Sequence, residues 1–405
     1  MRMWIYIVRR LILLIPVIIG VMTITFLLLS SLTIQQQLVA HFGEPSQKNP
    51  TEYNQYINCP GSTTKKCLNP IYVKLTNELG LNQPVPVQWG IYIYRSFTFN
   101  WGTVANQSTA GTTISVAKGQ PVVTVLGWFL PYTLELAALS LIIILAVALP
   151  LGNLAAVNRN RPVDQVARVM SFSGFALPGF LLSTLVLMGV VIAISSVTGP
   201  TVSTPWCHAG EATWSEFYGS WPQPNCFPGG TYPLWMHGSY QTGPTGFPTV
   251  DALLHHQYWL GLDTIIRMLL PAFVIAFGSV AILLRFVRNS MLEVMNLDFV
   301  RTARAEGIPE QRVIKRHAGR NSLNVTVTVL GLTFAFFIGG FPVIEDVFHL
   351  RGVGLLLQLA ASNNPGTLDF ALIFGSTLLF TIIVVLANII VDVIYAYLDP
   401  RVRLG

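Results

Sequence analysis

Apolar and polar positions alternate along this chain in long blocks, not at the short periods of a water-soluble fold. Uncharged runs fall at 11–31, 136–157, 169–198, 268–284, 321–344 and 370–391. A helix needs about 20 apolar residues to cross a hydrocarbon core of about 30 Å, so the runs predict six spanning helices. The fourth is the shortest, and Arg267 and Arg285 at its ends are expected to snorkel to the two interfaces. The first run follows Arg2, Arg9 and Arg10; it is too long for a secretory signal and has no small-residue cleavage site after it, so it reads as a retained span.

Arginine and lysine fix the expected orientation. Arg2, Arg9 and Arg10 precede the first span, Arg159, Arg161 and Arg168 join the second to the third, and Arg401 and Arg403 follow the last. The link between spans four and five carries Arg285, Arg288, Arg301, Arg304, Arg312, Lys315, Arg316 and Arg320. An even number of spans places all four segments on one side, which the positive-inside rule makes the cytoplasm. The expected division is then a first transmembrane helix at 1–32, an extracellular segment at 33–130 and transmembrane helices two and three at 131–198. An extracellular loop follows at 199–265, then helices four to six at 266–398 with a cytoplasmic loop at 285–323, and a cytoplasmic tail at 399–405. The 33–130 segment also carries lysines, which long translocated segments tolerate.

Composition agrees: 52% of residues are hydrophobic and 10% charged, against about a quarter charged in soluble domains, so lipid solvates most of the chain. The net charge of +6 lies in the links between spans, which points to membrane lipid and not to nucleic acid. Cys59 with Cys67 and Cys207 with Cys226 fall in the two long outer segments, where paired thiols read as disulfides. Four free thiols are the alternative. Both segments are rich in turn formers, with a short helix suggested by IYVKLTNELG, and Asn106 in NQS is a possible glycan acceptor. Pro16, Pro150, Pro178, Pro271 and Pro342 lie in or beside spans, where freed carbonyls need a neighbouring helix or cavity water; ordinary kinked packing explains them equally.

Enzymatic readings lack support. The chain has no GxxxxGK[ST] phosphate loop, HExxH or GxSxG, and no clustered metal ligands. His255 and His256 are adjacent and point apart, as in a solvated loop. Glu135 and Asp392, near the ends of spans two and six, are either functional carboxylates or interfacial helix-end residues.

The 290–323 stretch is the most strongly patterned. Met291 to Glu306 predicts one helix ended by Gly307, with Pro309 and Glu310 opening a second short helix. Ala303 and Ala305 leave little bulk for a partner surface to avoid, and the surrounding arginines and lysine can pair with acidic groups or anionic lipid. FVRTARAEG at 299–307 followed by RHAGRNSL at 316–323 resembles the EAA loop of binding-protein-dependent ABC importers, in its oligopeptide and dipeptide permease form. The resemblance extends to YIVRRLILLIPVIIGV, LPYTLELAALSL, ALPGF, TGFPTVDALL, EDVFHLRGVGLLL and VDVIYAYLDPRVR. Arg301 stands where other importers carry the glutamate that names the motif, and the proline usual after RNAL is absent near Val325.

The resemblance implies an all-α membrane protein with the six-transmembrane-helix type I ABC importer permease fold and enlarged extracellular loops. It implies that Arg301, Thr302, Ala303, Arg304, Ala305, Gly307, Arg316 and His317 form an ATPase-coupling loop. It further implies a second homologous permease subunit, two ATP-binding cassette ATPases that carry ATP and Mg, an extracellular substrate-binding protein, and a place in a prokaryotic cell membrane with both termini cytoplasmic. The chain itself would bind no cofactor and catalyse nothing. The family carries peptides, oligosaccharides or nickel. The rivals are a stand-alone secondary carrier or channel, which calls for internal repeats or charges deep in the spans, and an anchored receptor, which leaves the cytoplasmic loop without a purpose.

Overall fold

In lipid each backbone polar group must bond within its own segment, so apolar runs of this length become helices. The computed structural model describes residues 3–42, 51–59, 65–104, 108–110, 114–116, 119–198, 245–322, 327, 329, 342–348, 350, 352–362 and 369–398. Helix α1 spans Met3–Ser30, α5 Val122–Val157, α6 Pro162–Ala176, α7 Gly179–Thr198, α9 Tyr258–Val294 and α13 Phe370–Leu398. Among the described residues three helices, α5, α9 and α13, are long and apolar enough to cross a membrane, and a fourth crossing arises if α6 and α7 form one broken span. Ile15–Ser30 of α1 is a shorter apolar helix. Most of the expected fifth span at 321–344 lies outside the described residues.

The helices outrun their apolar runs. α5 has 36 residues, about 54 Å at 1.5 Å each, so its first turns stand clear of the hydrocarbon. The third expected span departs more sharply. Its two halves meet at 109° around Leu177 and Pro178, because the residue before a proline is driven to extended backbone, and Leu177 has φ −101° and ψ 116°.

The core lies where α5, α6 and α9 meet, with Leu136, Ala148, Leu283 and Leu284 buried in it. Small residues set the approach: a Cβ on Gly152 of α5 would press on Val287 and the Leu284 carbonyl, and one on Gly174 of α6 would run into Ala281. Arg267, expected to snorkel, is instead only 3% exposed, packed inside on α9. An arginine can enter because the bundle interior, not lipid, surrounds it.

The two ends of the bundle differ. At one end α5 runs into α6 beside the end of α9. At the other lie α2 (Ile34–Phe42), a hairpin of β1 (Tyr56–Asn58) and β2 (Lys66–Leu68), α3 (Pro70–Leu79), α4 (Val85–Phe97), a second hairpin of β3 (Ser108–Ala110) and β4 (Ile114–Val116), α8 (Pro248–Leu254) and α12 (Val353–Ser362). The Cys59–Cys67 disulfide closes the first hairpin, in which Ile57 faces Cys67. The Cys207–Cys226 pair and Asn106 lie outside the described residues, as does the side chain of Asp392. α3 matches the helix suggested by IYVKLTNELG; Asn69 caps its start through the Ile71 N–H, and Gly80 ends it.

Two carboxylates tie segments at this end. Glu135 accepts from the Thr249 N–H at 3.1 Å, so it holds α8. Glu345, fully buried, accepts from the Thr133 hydroxyl at 2.7 Å and the Gly354 N–H at 2.6 Å, while the Thr133 oxygen accepts from the Val353 N–H. The EDVFHLRGVG stretch is thereby folded back against α5. His255 caps the end of α8, and His256 sits exposed against the Tyr258 hydroxyl.

The close contact at Gly174 gives a direct test of packing. Gly174→Leu is expected to force α6 from α9 and cost about 1–3 kcal/mol, read as a lowered thermal midpoint in detergent. Gly189→Leu on α7, where nothing lies within 4 Å, is expected to leave it unchanged.

Candidate coupling loop and the clamp above it

The segment after α9 is not one helix from Met291 to Glu306. α9 ends at Val294, residues 295–297 turn, and α10 runs over Asp298–Ala305. The break redirects the chain so that Val300 and Ala303 bury against Met291, Val294, Val313, Ala318 and Ala156 of α5. A straight continuation of α9 would carry these residues away from the bundle.

Gly307 sits at φ +76°, the left-handed conformation a glycine adopts at least cost, and the Ile308 N–H closes on the Ala303 carbonyl at 3.2 Å. Pro309 then opens α11, Glu310–Arg312, which widens into a π-type turn over Val313–Ala318. The Arg304 guanidinium holds the Glu310 carboxylate through two bonds, of 2.8 and 3.1 Å. That pairing holds the Glu310 carboxyl below its ordinary range and raises Arg304. Both side chains are well exposed, so the pair adds less than about 1 kcal/mol and serves to fix the turn. At the base, the Ser290 hydroxyl donates to the Ser322 carbonyl.

The result is a short helix on a packed pedestal. Arg301, Thr302, Arg304, Ala305 and Gly307 are exposed, as are Arg312, Lys315 and Arg316, while Ala303 turns inward and His317 is half-buried. The small side chain of Ala303 therefore lets α10 sit close to the bundle; Ala305 is the small residue on the open face.

A clamp joins this pedestal to the link between α5 and α6. Asp164, in the first turn of α6, has no exposed side-chain surface; its Oδ2 accepts from Arg288 of α9 at 3.1 Å, from Arg168 at 2.9 Å and from the Asn160 N–H at 2.9 Å. Arg288 also bonds Oδ1 through Nε. The Arg288 hydrogen bonds hold the Asp164 carboxyl down at about 2, with the Asn160 N–H and Arg168 adding to the effect. The sequence reading passed over Asp164. The signal was present: it is the one acidic residue among Arg159, Arg161 and Arg168.

Long apolar helices around a small-residue core, a broken span and a folded polar loop at one end define a multi-pass helical membrane protein. Residues 148–404 match the family described as "binding-protein-dependent transport system inner membrane component", and the chain belongs to that family. It is 32% identical over 336 residues to a probable D,D-dipeptide transport system permease protein of Escherichia coli K12, with 83% of this chain and 85% of that protein covered. An oligopeptide transport system permease protein of Bacillus subtilis 168 is 28% identical over 398 residues, covering 98% and 99%. The dipeptide transport system permease protein of E. coli K12 is 29% identical over 339 residues, covering 82% and 85%. The chain is accordingly a permease subunit of an ABC importer.

The depressed carboxyl of Asp164 fixes the sign of a pH test. The clamp stabilises the fold above the ordinary carboxylate range near 3.8 and loses that contribution as pH falls through about 2. Asp164→Asn leaves two partly exposed arginines facing a neutral amide and is expected to cost about 2 kcal/mol. Unfolding should show a constant gap between wild type and variant from about pH 5 to 8, closing progressively as pH falls from about 4 to about 2.

Proposed function

We propose that this chain moves peptides inward as one half of a paired permease, and that the loop at 290–323 is where the motor subunits push. The single observation that carries the coupling role is α10, which presents Arg301, Thr302, Arg304 and Ala305 outward on a base buried against α5 and α9. A load applied to that face passes into two long helices without first bending a loose linker. The names of the relatives, which concern dipeptides and oligopeptides, support a peptide cargo.

In this reading two ATP-binding cassette ATPases, which carry ATP and Mg, bind the loop, a second homologous permease completes the pathway, and a substrate-binding protein delivers cargo at the opposite end. ATP closes the ATPase pair and drags α10; α9 and the clamped end of α6 follow, and the pathway changes the side on which it is open. The loop side is cytoplasmic. Two features support that orientation: the arginines concentrate there, and the Cys59–Cys67 disulfide, which needs an oxidising compartment, sits at the other end.

Ala305→Trp tests the reading with little risk to the fold, since Ala305 is exposed. The variant should insert and purify normally but lose at least tenfold of the ATPase subunits recovered with the tagged chain and most ATP-driven peptide uptake in proteoliposomes. Undiminished recovery and uptake would remove the coupling role and favour a self-contained carrier.

A further inference from the structure

Helix α4 does not cross the membrane, yet it exposes Val85, Val87, Trp89 and Tyr94, with Phe97 and Phe99 at its end. Its position explains why. The Trp89 indole donates to the Thr23 hydroxyl at 3.0 Å, and the Tyr92 ring lies 5.8 Å from that of Phe26. Thr23 and Phe26 belong to the apolar part of α1. α4 therefore lies along α1 where hydrocarbon gives way to headgroups, the depth that tryptophan and tyrosine favour, with its apolar face toward lipid.

Behind α4 is a cavity of about 110 Å³ bounded by α1, α2, α4 and α13. That far exceeds the roughly 10–15 Å³ a water needs, and mainly apolar walls such as Phe26, Leu29, Ile91, Phe374 and Leu378 offer water few partners. One side is polar, where Arg95 stands with His41. The Arg95 guanidinium bonds the His41 Nε2 at 3.3 Å and the Glu78 backbone carbonyl. Burial, with the nearby Arg95 charge, pushes His41 down to about 4, so at neutral pH the imidazole accepts this bond and adds no charge. Among the described residues no carboxylate pairs directly with Arg95; the Glu78 carboxylate lies near enough to favour its charged form, and the half-buried cation stands at the edge of an apolar hole.

We propose that this cavity is a binding site for one anionic membrane lipid, a hydrocarbon chain lying between α1, α4 and α13 and the headgroup phosphate on Arg95. Apolar walls, interfacial depth and a cation at the rim with no direct carboxylate partner together match an amphiphile of that charge. A peptide fits poorly, because its backbone amides would meet apolar walls and the cavity lies to the side of the α5–α9 core. The lipid would act as a wedge that holds the outer elements α2 to α4 against α1 and α13.

The experiment is native mass spectrometry of the full chain released from nanodiscs of equal phosphatidylglycerol and phosphatidylcholine. One phosphatidylglycerol is expected to persist after exchange into lipid-free detergent, favoured at least tenfold over phosphatidylcholine. Arg95→Gln should abolish that preference, Arg95→Lys should keep part of it, and Leu29→Trp should displace the lipid by occupying the cavity while Arg95 stays in place. Equal retention of the two lipids, retention that survives Leu29→Trp, or displacement of the bound species by a dipeptide would each overturn the proposal. Because Leu29→Trp leaves every polar contact of Arg95 intact, misfolding of the Arg95 variants would not rescue or sink it.

Discussion

Inside the bundle no water is at hand to solvate a charge, so a buried carboxylate dictates where its neighbours stand. Asp164 shows how far that reaches. Its two oxygens take Arg288 from α9, Arg168 from α6 and an N–H from the turn after α5, which locks three elements at one point. Breaking the pair costs more than breaking one between two exposed side chains, because the Asp164 carboxylate is wholly buried and Arg288 is only 16% exposed. The small residues above it, Gly152 and Gly174, make this arrangement possible by letting α5 and α6 lie close against α9. With those helices locked together, the α10 pedestal has a rigid base.

That rigidity is what a coupling element requires. Differential binding in a partner can shift a conformational equilibrium only if the contact surface and the moving helices travel together. α10 meets this through two residues that turn inward, Val300 and Ala303, and through the left-handed turn at Gly307 that brings α11 back beneath it. Polar ties at the far end act likewise: Glu135 grips α8, and Glu345 and Thr133 grip the turn before α12. The far end of α5 is thus tied to the elements that cover it.

Much of this was legible in the chain. Twenty uncharged residues leave few alternatives to a spanning helix, and FVRTARAEG marked the loop without any structure. Breaks were harder to see. Nothing in MNL at 295–297 is a strong helix breaker, and the chain turns there because burying Val300 and Ala303 against the bundle outweighs local helix propensity. Pro178 was visible, but a proline alone does not distinguish a kink from a 109° bend. Arg267 was misplaced because a run of apolar letters shows where a span ends in sequence, not which face of the helix its neighbours cover. α4 was hidden among turn formers, since an interfacial helix is short and needs only one apolar face. The coupling role of the loop residues is an expectation from resemblance; that Ala303 faces in while Ala305 faces out follows from the fold and not from the sequence.

The most direct test of the account is site-specific photo-crosslinking from Thr302, on the exposed face of α10, in native membranes. The account predicts one protein adduct, an ATP-binding cassette subunit identified by mass spectrometry, whose yield changes when ATP is trapped. Adducts to lipid alone, or to the same protein at unchanged yield whatever the nucleotide, would contradict it.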